Sequence, residues 1–112
     1  MTDKIVVLST CESEEEAELV ARSLVEQQLA ACVNIAPPVK SVYRWKGAVE
    51  TASEHVLMIK TSRALLHEVE LAIAKIHSYE IPECIALSVV DGSEAYLDWL
   101  DSSLKQTEPE PR

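Results

Sequence analysis

Apolar residues recur along this chain with two periods, and the places where one gives way to the other divide it into elements. From Lys4 to Cys11 the residues Ile5, Val6, Val7 and Leu8 run continuously apolar, as in a strand covered on one face and shared on the other. The spacing then becomes helical: Ala17, Val20, Ala21, Leu24 and Val25 recur at helical intervals to about Leu29. Ser13 and Glu16 make a capping box at its start, and the glutamates there suit the positive end of the helix dipole. The run LAACVNIA returns to strand character. Pro37 and Pro38 cannot donate to a ladder, which predicts a bend or bulge before pairing resumes in SVYRW.

Lys46-Gly47 turns the chain, and Ala48 to Thr61 returns as one long strand without proline or glycine. At about 3.4 Å per residue it would span roughly 48 Å. A compact globule of this length has a radius of gyration of roughly 13 Å, about 35 Å across. The hairpin from Ala30 to Thr61 is therefore expected to overhang. Unpaired strand edges are a liability that proteins cover or pair, so a second copy of the chain is expected there.

Ser62 is placed as the cap of a second helix whose buried face is Leu65, Leu66, Val69, Ala72, Ile73 and Ile76. His77, Ser78, Tyr79, Ile81 and Pro82 close it. Glu83 to Val90 reads as a fourth strand, and Gly92-Ser93 starts a short helix carrying Tyr96, Trp99 and Leu100. The order β-α-β-β-α-β plus one helix predicts an α+β, ferredoxin-like split βαβ fold: a four-stranded antiparallel sheet with both helices on one face. The other face needs cover from outside the subunit. Residues 1–104 form one domain; 105–112 are a polar, proline-bearing tail predicted to be disordered.

Composition narrows the partners. The 112 residues carry a net charge of −9, with five glutamates between Glu12 and Glu18. Such a surface repels phosphates, which excludes nucleic acid as a partner. No stretch reaches the length of a membrane span, and the start lacks a cleavage site, so the cytoplasm is expected. The cysteines Cys11, Cys32 and Cys84 are odd in number and widely spaced, so reduced thiols are expected rather than a disulfide framework.

Four segments, LAACVNI at Leu29–Ile35, SVYRWKG at Ser41–Gly47, MIKT at Met58–Thr61 and HSYEIPE at His77–Glu83, resemble the CutA divalent-cation-tolerance family. The ending GSEAYLDWL at Gly92–Leu100 fits as well, and the blocks stand in the family's order across Lys4 to Ser103. The resemblance implies ferredoxin-like subunits in a tight homotrimer, similar in assembly to the nitrogen-regulatory PII proteins. It also implies a role in the response to divalent metal ions, copper above all. Some members are described as binding copper through a cysteine near the first strand and a histidine just before the HxYE segment. His77 matches the family's histidine of that motif; the family's following proline is Ser78 here, which is expected to loosen the turn. Copper-binding bacterial members with two adjacent histidines would need the other at Ile76. The family's cysteine position falls at Ser9, with Cys11 two residues on and on the same strand face.

Cys11 and His77 are thus the candidate copper ligands, for Cu(I) or Cu(II). Cys11 sits where a strand feeds a helix N-terminus, which stabilises a thiolate and suits soft metals. Neighbouring glutamates push its pKa up, and a small buried side chain is the competing reading. His77 ends a helix, where an imidazolium cap competes with ligation. Cys32 and Cys84 read as packed hydrophobes inside strands. Tyr43 and Trp45 lie on one strand face, with Arg44 and Lys46 on the other, and are expected under a neighbouring subunit, with a ligand pocket as the competing reading. Lys60, Tyr79 and Glu83 are placed with them in an inter-subunit cleft.

Three functions compete. The first is a non-catalytic trimeric metal-binding protein. The second is a PII-like sensor or adaptor whose cleft takes a small ligand or partner protein. The third, an enzyme using Cys11 or His77, is the weakest: there is no Ser-His-Asp set, no glycine-rich phosphate loop and only two glycines.

Overall fold

Eight elements of regular structure build the fold, in a computed structural model that describes residues 2–106. They are β1 (Lys4–Cys11), α1 (Glu14–Glu26), β2 (Cys32–Ile35), β3 (Val39–Trp45), β4 (Ala48–Ser62), α2 (Leu66–Ile76), β5 (Ile85–Ser88) and α3 (Glu94–Ser102), with a 3₁₀ turn at Arg63–Leu65. The sheet runs β2-β4-β1-β5, every pair antiparallel, with β3 pairing β4 beyond the end of this path. This is the ferredoxin-like order, with its second strand split. Pro37 and Pro38 divide that strand into β2 and β3, giving five strands where four are predicted.

Burial follows the alternation of β1. Ile5, Val7, Ser9 and Cys11 are buried against α1 and α2, in one core with Val20, Leu24, Leu57, Ile59, Val69 and Ile73. Val6 and Leu8 face the opposite way, beside Met58, Ile85 and Leu87 on the side away from α1 and α2. Both β5 residues there are half-exposed. One end of that side is covered from within the subunit, against expectation. Lys4, almost fully buried, bridges Ser62 Oγ at 3.1 Å and Asp101 of α3 at 2.6 Å, and Lys60 reaches Tyr96 of α3. Burial works to lower the Lys4 pKa, but the carboxylates of Asp101 and Asp3 outweigh it and hold it above its ordinary value.

The hairpin overhangs as its length predicts. Ala48 to Glu54 pair only with β3, the turn is made by Lys46 and Gly47 at positive φ of 50° and 82°, and the molecule is 46 Å long by 25 Å at its narrowest. Positive φ at both central residues matches the twist of a tight hairpin, and glycine takes it without strain. Val42 and Val49 lie exposed on one hairpin face, and Tyr43 is exposed on the other.

Four boundaries differ from the sequence expectation. Helix α1 stops at Glu26, because Gln28 turns left-handed (φ 58°) and Leu29 N and Gln28 N donate back to Leu24 O and Val25 O, a Schellman closure. Leu29 and Ala30 are therefore core residues of a turn, and β2 starts only at Cys32. Ser62 makes no capping bond; its hydroxyl serves Lys4 and α2 begins four residues later. Strand β5 is four residues long, leaving Glu83 and Cys84 in the loop before it. Of the tail, Lys105 is held through its N–H on Gln28 O and its ammonium on Glu68 at 2.8 Å; residues 107–112 lie outside the described residues.

Candidate metal centre

Cys11 ends β1 with its side chain turned to the helical layer and no exposed surface. His77 follows the last residue of α2, and Glu16 stands in the first turn of α1. The fold brings all three together. Cys11 Sγ lies 3.7 Å from His77 Nε2, and one ligand atom of each of Cys11, Glu16 and His77 falls within 4.8 Å of the others. Among the described residues this is the one group of at least three His, Cys, Asp or Glu side chains so placed.

Hydrogen bonds fix His77 and Glu16. His77 Nε2 donates to the Thr10 carbonyl, and Nδ1 accepts from Tyr79 N–H at 3.0 Å, so the ring is neutral with its proton on Nε2. An imidazolium cap is ruled out by that pattern, since a protonated Nδ1 would face a second donor. The Glu16 carboxylate accepts from Ser78 N–H at 2.6 Å and Ser78 Oγ at 3.1 Å. A proline at position 78 would lack that N–H, so Ser78 ties the turn to α1 instead of loosening it. Ser13 Oγ accepts from Glu16 N at 3.1 Å, while the carboxylate expected to complete the capping box is the one turned to Ser78.

The thiol is the least compliant member. Burial, and then the charges of Glu16 and Glu54, push Cys11 up to about 12, so it is protonated at neutral pH. Glu54 is itself almost buried on β4. Burial works to raise its pKa, yet hydrogen bonds from Ser41, Tyr79 and Thr10 outweigh it and hold the carboxyl below its usual range. The Tyr79 hydroxyl donates to Glu54 Oε2 at 2.8 Å, and burial together with that carboxylate raises the phenol pKa. The rings of Tyr79 and His77 lie 4.6 Å apart.

The five residues assigned to a cleft do not converge within one subunit. Tyr79 belongs to the Glu54–His77 network, whereas Lys60 sits at the other end of β4 with Nζ 3.3 Å from Tyr96 OH. Glu83 is half-buried in the loop before β5 and does not pair with Lys60. Tyr43 is exposed; Trp45 is partly exposed at the hairpin end, with the Lys46 ammonium 5.7 Å from its ring centre. Lys46 lies in the turn and not on the opposite strand face. Cys32 and Cys84 are only partly buried, and all three cysteines are unpaired.

The model of the CutA1 divalent ion tolerance protein family matches residues 5–103. The chain belongs to the CutA1 family. It is 44% identical over 95 residues to the Thermus thermophilus divalent-cation tolerance protein CutA, an alignment covering 85% of this chain and 92% of that protein. It is also 44% identical over 101 residues to the chloroplastic CutA of Arabidopsis thaliana, covering 90% of this chain and 56% of the plant protein. The chain thus spans just over half of that relative's length. The crystal structure of CutA1 from Oryza sativa superimposes with a TM-score of 0.90 at 40% identity, covering 93% of this chain and 95% of that one.

Within this CutA1 fold, two site residues carried no sequence signal of their role. Glu16 was legible only as one of the helix-start glutamates that raise the Cys11 pKa, and Glu54 only as one polar position in a long strand. Both became part of the centre through contacts 25 to 62 positions away in sequence.

Proposed function

We propose that this CutA1-family chain is a non-catalytic metal-response protein that holds copper at Cys11 and His77, with Glu16 beside them, and works as a homotrimer in the cytoplasm. The observation that carries the reading is the convergence of a thiol, an imidazole and a carboxylate within 4.8 Å. Sulfur with imidazole favours copper or zinc over magnesium or calcium. The residues fit such an ion in kind and spacing, provided His77 releases Nε2 from Thr10 and Cys11 loses its proton. The trimer is supported by the overhanging hairpin, apolar on both faces, and by the partly uncovered sheet side away from α1 and α2 at Ile85 and Leu87. Three unpaired thiols suit a reducing compartment.

The raised thiol pKa gives the reading a pH signature. A group protonated up to about 12 must release one proton for each metal bound, so affinity rises with pH. Competition titration with a Cu(I) chelator is expected to show about one log unit of affinity per pH unit between roughly 6 and 9.5. An unperturbed thiol would level off above about 8.5, and a plateau there would contradict the site. No metal-dependent change between parent and Cys11→Ser would contradict it outright.

A further inference from the structure

We propose that the His77–Tyr79 segment couples metal occupancy to the protruding hairpin, by a hydrogen-bond conflict built into the centre. The inference rests on the reading above that His77 is a ligand. The nitrogen facing Cys11 is Nε2, and in the metal-free arrangement that nitrogen carries the ring's proton and donates to the Thr10 carbonyl. Ligation needs a bare lone pair there. The neutral ring can supply it only as the other tautomer, with one proton leaving Nε2 and one arriving on Nδ1 through solvent, so the ring's proton count is unchanged.

Nδ1 then becomes a donor, but it sits 3.0 Å from the Tyr79 backbone N–H, which is also a donor. Two donors cannot share that contact. Either the ring turns or the Tyr79 backbone withdraws. The ring has little room to turn, being buried against Cys11 and the Tyr79 ring. The backbone must therefore give.

Its movement reaches the hairpin directly. The Tyr79 hydroxyl is bound to Glu54, the residue of β4 that stands opposite Val39 at the base of the overhang. The next residue, Glu80, approaches Lys46 in the hairpin turn at 3.9 Å, and Lys46 lies over Trp45. One short segment thus touches His77 and both the base and the tip of the hairpin. Loading the centre loosens that segment from the hairpin, and a looser segment in turn favours loading, since coupling between two sites is reciprocal.

The test uses the full chain carrying Trp99→Phe, which leaves Trp45 as the sole tryptophan. Cu(I) alone is titrated while affinity is read by chelator competition, Trp45 emission by fluorescence and the Tyr79 amide by NMR. The expected result is that emission and amide shift change in step with occupancy. Tyr79→Phe keeps the backbone N–H and removes the tether to Glu54. It should tighten Cu(I) binding by about fivefold, the equivalent of one net hydrogen bond, and shrink the Trp45 response. A merely structural tyrosine would lower stability without tightening binding. If Tyr79→Phe fails to fold, Glu54→Gln weakens the same tether and is expected to act in the same direction. Copper binding with parent affinity in these variants and a silent Trp45 overturns the coupling and leaves the site standing. Absence of Cu(I) binding overturns both.

Discussion

Cys11→Ser is expected to weaken Cu(I) binding by at least about 100-fold, because loss of groups that only support a ligand already costs 10- to 100-fold. The hydroxyl is a poor ligand for a soft ion, and the buried site gives no other sulfur: Cys32 and Cys84 lie elsewhere and partly exposed. Cys32→Ser therefore serves as the control and should leave affinity unchanged. Some loss of stability is expected from placing a hydroxyl among the core residues, roughly 1–3 kcal/mol, so the apo fold is checked by circular dichroism before binding is compared. Parent affinity in a folded Cys11→Ser protein would remove the thiol from the centre.

The second large effect concerns assembly. The parent is expected to sediment at micromolar concentration as three chains of 12.4 kDa. Trp45→Ala should shift that equilibrium towards dissociated subunits. Trp45 contributes little to its own subunit's core, being partly exposed at the tip of a two-stranded overhang. A tryptophan buried at an interface carries roughly 2–4 kcal/mol, and a trimer counts the loss three times. Secondary structure of the separated subunit should persist, because the core residues around Leu57 and Ile59 are untouched. A parent that sediments as a monomer would contradict the assembly and leave the exposed valines of the hairpin without a partner.

Local signals and long-range ones were not equally legible in the sequence. Strand β1 runs from Lys4 to Cys11 and the hairpin turns at Lys46-Gly47 as read, because a continuous apolar run and turn chemistry are decided by neighbours in the chain. Ser93 caps α3 through its hydroxyl on Tyr96 N for the same reason. The end of α1 was hidden because a glutamine adopts the left-handed closure that glycine usually signals. Ser62 misled because its hydroxyl is claimed by Lys4, 58 positions away. In the site, Cys11 and His77 were paired by family resemblance, and the structure brings them together across 66 positions. The thiol's state was legible in part, since a buried side chain and neighbouring glutamates that raise its pKa were both read; no sequence pattern carried the share of Glu54 or an imidazole with both nitrogens engaged.

X-ray absorption at the copper edge, on protein loaded with one Cu(I) per chain, tests the metal assignment most directly. One sulfur scatterer together with imidazole scattering is expected in the parent, the sulfur lost in Cys11→Ser and the imidazole lost in His77→Ala. A spectrum with oxygen and nitrogen neighbours alone, unchanged by either substitution, would contradict it.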